Sequence, residues 1–148
     1  MSNTGLETFD STLQLTNEWL NDINDKLGFG DKQLAYHALR ATLHALRDRI
    51  PTQEAIEFGA QLPMLVRGFY YEGWNPVDNP SKERNLDEFV AHIEQSYDNR
   101  TNIDLAEMAS AVFSTVNERM TAGQVTQVRD MLNEDLRQIW PEPVATGA

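Results

Sequence analysis

The chain has 148 residues, a formal net charge of -11 and no cysteine. That length suits one domain, or two small halves sharing a core. The acid excess argues against binding a phosphate backbone, which depends on clustered Lys and Arg, and the lack of cysteine excludes disulfides, thiolate metal sites and cysteine nucleophiles. The apolar content of 41% is ordinary for a globular protein. The opening MSNTGLETFD is polar, with no apolar signal core, and no apolar run approaches the roughly 20 residues of a membrane helix. A cytoplasmic protein with no membrane partner is expected.

Hydrophobic spacing predicts helix almost throughout. Ser11 and Gln14 have the separation of a capping box, and Leu13, Thr16, Trp19, Leu20, Ile23 and Leu27 share one face. Gly28 and Gly30 end this first helix, because glycine tolerates the left-handed C-cap. Asp31 is a plausible N-cap for the second, which carries Leu34, Ala35, Ala38, Leu39, Thr42, Ala45, Leu46 and Ile50. Its alanines let another helix approach closely. Pro51 lacks the N–H to continue. Thr52 can cap a third helix with Ala55, Ile56, Phe58 and Leu62 on its apolar face, and Pro63 suits the first turn of a fourth, residues 63–71.

Residues 73–85 read as a linker punctuated by glycine and two prolines. The helices then start over. Asn85 with Glu88 opens a fifth carrying Phe89, Val90, Ile93 and Tyr97. Leu105, Met108, Ala109, Val112, Phe113, Val116 and Met120 make a sixth. Thr121 with Gln124 caps a seventh, and Asn133, Glu134 and Asp135 open an eighth that Pro141 stops. Residues 1–10 and 142–148 are expected to be flexible ends.

The two series of helices match at a step of 70 residues. Trp19 meets Phe89, Ile23 meets Ile93, Leu43 meets Phe113, Leu62 meets Leu132, Val66 meets Leu136 and Tyr70 meets Trp140, while Glu18, Arg49 and Arg67 recur unchanged as Glu88, Arg119 and Arg137. Such a step constrains the fold. It predicts an all-α protein of two tandem, pseudo-two-fold-related helical subdomains of about four helices each, residues 11–72 and 86–141, packed into one compact unit. A 70-residue half alone would be marginal.

Two stretches carry a family resemblance. Ala-Tyr-His-Ala-Leu-Arg-Ala-Thr-Leu-His-Ala-Leu-Arg-Asp-Arg-Ile from Ala35 and Ala-Gln-Leu-Pro-Met-Leu-Val-Arg-Gly-Phe-Tyr-Tyr-Glu-Gly-Trp-Asn-Pro from Ala60 resemble the bacterial family called domain of unknown function 2267. The segment from Val128 to Pro141 looks like that family's closing segment, with Asn133 where a proline is common. The resemblance spans about residues 10–141. It implies an all-helical fold and brings no activity, cofactor or catalytic residue.

Chemistry-bearing motifs are scarce. His37 and His44 lie seven apart on one helix face, but no third metal ligand is evident and Arg40 and Arg47 beside them would repel a cation. Glu88 and His92 have ordinary i, i+4 salt-bridge spacing. No serine sits in a nucleophile elbow, and Gly28-Phe29-Gly30 lacks the rest of a phosphate-loop pattern. No catalytic residue, metal or cofactor is therefore assigned. The densest aromatic cluster is Phe69, Tyr70, Tyr71 and Trp74, beside Arg67 and matched in the second copy by Trp140. Tyr and Trp join apolar area to a polar tip, so these six residues form a candidate interaction or ligand surface; equally, they could plug the end of the bundle. The expectation is a non-enzymatic protein-interaction or regulatory module, with a protein partner or a homodimer and no nucleic acid. The alternative is a small-ligand binder with an aromatic-lined pocket between the halves.

Overall fold

A computed structural model describes residues 4–97 and 102–143. Among these residues the chain forms eight α-helices and no strand: α1 (Glu7–Leu27), α2 (Lys32–Arg49), α3 (Thr52–Ala60), α4 (Met64–Tyr71), α5 (Leu86–Ser96), α6 (Leu105–Arg119), α7 (Ala122–Arg129) and α8 (Glu134–Arg137). A single 3-10 turn, Pro76–Asp78, lies in the connector.

Most helix ends follow local chemistry. Gly28 closes α1 in the left-handed region, at φ 64°, with its N–H on the Asn24 carbonyl. The side chains of Asp31, Asn85 and Asn133 accept from the amides of Gln33, Glu88 and Leu136 at 2.9, 2.9 and 3.0 Å, and Thr121 with Gln124 forms a complete capping box. Each cap satisfies a donor that the first helical turn leaves orphaned. α3 and α4 differ: Pro51 and Pro63 occupy their N-cap positions and no side chain caps either helix. The start of α1 also differs from expectation. The helix begins at Glu7, so Ser11 lies inside it, because Thr4 ties the first turn instead, donating through its amide and hydroxyl to Asp10 Oδ1 at 3.1 and 2.8 Å. Of the ends expected to be flexible, residues 7–10 are helical, and 1–3 and 144–148 fall outside the described residues.

The core is built around α2, which packs on α1, α3, α4, α5 and α6. That crowding is possible because Ala35, Ala38, Ala41 and Ala45 present small side chains, each 0–1% exposed. Helix boundaries recur at the 70-residue step: α3 and α7 start at Thr52 and Ala122, α4 and α8 at Met64 and Glu134, and α2 and α6 end at Arg49 and Arg119. Packing crosses between the halves. α1 lies on α6, α5 on α2, α2 on α6 and α3 on α7, so each half lays its first helix against the second helix of the other. The packing thus runs between the two series of helices as well as within each.

The seam between α1 and α6 is clasped by ion pairs. Arg119 donates to Glu18 and Asp22 at 2.9 and 2.5 Å, and Lys26 to Glu118 at 2.7 Å. The first helices are unequal in length: α1 has 21 residues and α5 has 11. The excess is residues 7–15 of α1, an arm without a helical counterpart in the second half.

Candidate functional site

The six candidate residues are placed as follows. Tyr70, Trp140 and Phe69 are 0%, 1% and 8% exposed, Tyr71 and Trp74 are half-buried, and Arg67 is exposed. Their polar atoms bond within the chain. Tyr70 donates its hydroxyl to the Ala55 carbonyl at 2.7 Å and Tyr71 to that of Ile56 at 3.0 Å. Burial pushes the Tyr70 phenol far above its usual range, with the Tyr71 charge adding to the rise. Trp74 stacks on Tyr71, rings 5.7 Å apart and 20° from parallel, and donates its indole N–H to Asn79 Oδ1 at 2.9 Å. Trp140 stacks on Phe113 of α6, rings 4.2 Å apart, and donates to Asn117 Oδ1 at 2.9 Å. The 69–74 cluster is thus joined to α3 and the connector, and Trp140 to α6.

Arg67 closes a helix end. α3 finishes at Ala60, leaving its last carbonyls without intrahelical partners. The Arg67 guanidinium donates to the Gly59 and Leu62 carbonyls at 3.2 and 3.0 Å, placing a cation at the negative end of the helix.

Two residues of the same network carry no sequence signal for their role. His44 donates from Nε2 to the Phe69 carbonyl at 2.6 Å, and Arg47 donates to the Tyr70 and Glu72 carbonyls at 2.8 and 3.1 Å. They close the C-terminal end of α4 from inside the core, where both are 5% exposed. Burial holds the His44 imidazole below its ordinary range, partly offset by the Phe69 carbonyl and reinforced by Arg47 and Arg40. The connector closes α2 in the same manner: Asn79 donates to the Arg47 and Ile50 carbonyls at 2.7 and 2.8 Å, and the Ser81 amide to that of Asp48 at 2.7 Å. The linker is therefore pinned to α2 rather than slack. His37, seven residues before His44 on the same helix, is exposed. Among the described residues no three His, Asp or Glu side chains gather into a metal-ligand set.

His92 does not pair with Glu88. Its Nε2 lies 3.0 Å from Asp48 of α2 and its Nδ1 3.0 Å from Glu83 of the connector, while Glu88 accepts the Arg84 amide at 2.8 Å. Asp48 lies 44 residues away in the chain, and Glu83 lies outside the helix in the connector, which is why helix spacing missed them.

An exposed feature lies elsewhere. A groove of about 350 Å³ runs between α1, α2 and α4, lined chiefly by Leu13, Leu20, Tyr36, Leu65 and Phe69. Gly68 leaves it open, since nothing lies within 4 Å of where its Cβ would stand. Beyond the groove the α1 arm exposes Leu6 and Phe9, at 53% and 46%, and α4 exposes Met64 and Leu65, at 48% and 42%. Leu6, Phe9, Leu13, Thr16 and Leu20 continue one stripe at helical spacing, covered at its C-terminal end and bare at its N-terminal end. The Leu65 amide donates to Thr12 Oγ1 at 2.9 Å, fixing α4 beside the arm.

No curated protein matches the chain. A family model described as an uncharacterized conserved protein, DUF2267, matches residues 16–139, well over half of the sequence, and begins just beyond the α1 arm. By that match the chain belongs to the DUF2267 family.

Proposed function

We propose that the protein is a non-enzymatic interaction module that takes up an amphipathic helix of another protein in the groove between α1 and α4. The observation that carries this reading is the exposure of Leu13 and Leu65 on that groove, with Leu6, Phe9 and Met64 also exposed in the segments that lead to it. Exposed apolar residues along a helix and an adjoining cleft fit the helix-in-groove mode of recognition, with apolar anchors every three or four residues. Charge favours a basic partner. The arm, residues 7–15, carries Glu7 and Asp10 and no Lys or Arg. At the rim, Arg40 is held by Glu72 at 3.0 Å, and Lys32 by Asn17 at 3.3 Å. A second copy of this chain would set the acids of one arm against those of the other, which disfavours it as occupant.

The small-ligand reading has less support. The space it needs, beside Tyr70, Trp74 and Trp140, is taken by ring packing on Phe58, Tyr71 and Phe113. An interaction role also accords with the engagement of His44 and His92 in structural bonds.

The test is an NMR titration of the full chain with a Leu/Lys amphipathic helical peptide, alongside a Leu/Glu peptide of the same pattern. Binding predicts amide shifts centred on Leu13, Thr16, Leu65 and Gly68 with the basic peptide only, lost in Leu13→Glu. Shifts centred elsewhere, no shifts, equal response to both peptides, or a concentration-dependent dimer that covers the groove would each overturn the reading.

A further inference from the structure

We infer that His92 is a proton-dependent latch: with both ring nitrogens protonated it ties the connector and α5 to the end of α2, and losing one proton loosens the connector around Glu83. The geometry requires the charged ring. Asp48 and Glu83 stand 3.0 Å from its two nitrogens, and an ionised carboxylate only accepts hydrogen bonds. A neutral imidazole has one N–H, so one nitrogen would turn its lone pair on a carboxylate oxygen. The imidazolium satisfies both.

The surroundings hold the two carboxylates in place. Arg47 donates to the other oxygen of Asp48 at 2.9 Å. Ser81 donates its hydroxyl to Glu83 at 2.8 Å, and Arg49 donates to the Glu83 carbonyl at 2.7 Å. Lys82 and Glu88 line the cleft beside His92. Of the other helices packed on α5, α6 buries an apolar face of Leu105, Met108, Ala109 and Val112, apart from Thr115, and α8 spends Asp135 on the Leu86 amide at the start of α5.

The hydrogen bond to Asp48 raises the His92 pKa, with burial opposing and the Glu83 and Asp48 charges assisting against Arg47. For Asp48, burial pushes upward but the bonds from His92 and Arg47 outweigh it and hold the carboxyl below its usual range. The sign follows from linkage. The latch is closed between the lowered pKa of Asp48 and the raised pKa of His92, and it opens as pH rises through the latter. The equivalent seam offers a contrast. At the 70-residue step Asp22 stands where α5 has His92, and that seam is clasped by Arg119, which stays charged at any physiological pH. The α2–α5 seam thus rests on an imidazole and the α1–α6 seam on a guanidinium.

The test uses imidazole nitrogen NMR and amide exchange on the full chain. His92 should carry both protons below its midpoint, and that midpoint should lie above the ordinary 6.5. The protection factor of the Ser81 amide, corrected for intrinsic exchange, should fall through the same transition while amides of α1 and α6 at the Arg119 seam keep theirs. Glu83→Gln should lower the His92 midpoint by about one unit, and His92→Gln, checked for fold by circular dichroism, should abolish the pH dependence at Ser81. A His92 midpoint at or below 6.5, or Ser81 protection that ignores the His92 transition or persists in its pH dependence in His92→Gln, would overturn the latch.

Discussion

His44 and Phe69 meet through a 2.6 Å hydrogen bond from an imidazole on the central helix to a carbonyl near the end of α4. A carbonyl can only accept, so Nε2 carries the proton. Burial then opposes a second proton on the ring, and the His44 pKa is lowered. The unfolded chain takes up that proton at about 6.5, so stability tied to His44 is present above that pH and is lost as pH falls towards the lowered folded value. His92 acts in the opposite sense, losing its contribution as pH rises. Urea unfolding from pH 7 to 5 should therefore show a fall in stability from the His44 contribution, reduced in His44→Gln after subtracting the variant's constant loss. A wild-type slope that His44→Gln leaves intact would assign the acid sensitivity to other groups.

Gly59 and Gly68 make a controlled pair. A Cβ at Gly59 would overlap the Tyr71 hydroxyl and come within 2.8 Å of Tyr70 Cε2, whereas one at Gly68 meets nothing within 4 Å. Gly59→Ala must displace the two rings whose hydroxyls hold the Ala55 and Ile56 carbonyls, at a cost of about 1–3 kcal/mol. Gly68→Ala should instead stabilise α4 by roughly 0.5–1 kcal/mol, the helix-interior difference between the residues. Denaturant midpoints of the two variants should move in opposite directions; shifts of the same sign would contradict the ring packing around Gly59.

What the sequence made legible was local chemistry. Asp31, Asn85 and Thr121 with Gln124 announced helix starts, and Gly28 a helix end, because each acts on backbone groups within a few residues. The apolar periodicity identified the buried faces for the same reason. The site was less legible. Arg67, His44 and Arg47 each close a helix other than their own, and nothing in a one-dimensional pattern says which orphan carbonyls a side chain will reach. His92 had an i−4 partner by spacing in Glu88, yet Asp48 and Glu83, 44 residues before it in the chain and in the connector, hold it. The arm of α1 was hidden by its N-terminus, where Thr4 and Asp10 replace the expected cap. The apolar groove depends on Leu65 and Phe69 lying beside Leu13, a tertiary coincidence.

The 70-residue step makes one stability prediction by itself. Thr42 of α2 is fully buried, and its hydroxyl has no hydrogen-bond partner. Its counterpart one step on is Val112, also fully buried, in α6. Valine has nearly the shape of threonine without the hydroxyl, so Thr42→Val removes a buried polar group without opening a cavity. An unsatisfied buried hydroxyl costs about 1–3 kcal/mol, and replacing it with an apolar group of the same shape recovers part of that. Thr42→Val should therefore raise the unfolding free energy by about 1 kcal/mol with an unchanged denaturant slope. The reverse change, Val112→Thr, should lower it, because the oxygen would enter an equally dry position. Loss of stability in Thr42→Val would mean that the hydroxyl has a partner in solution, such as a buried water.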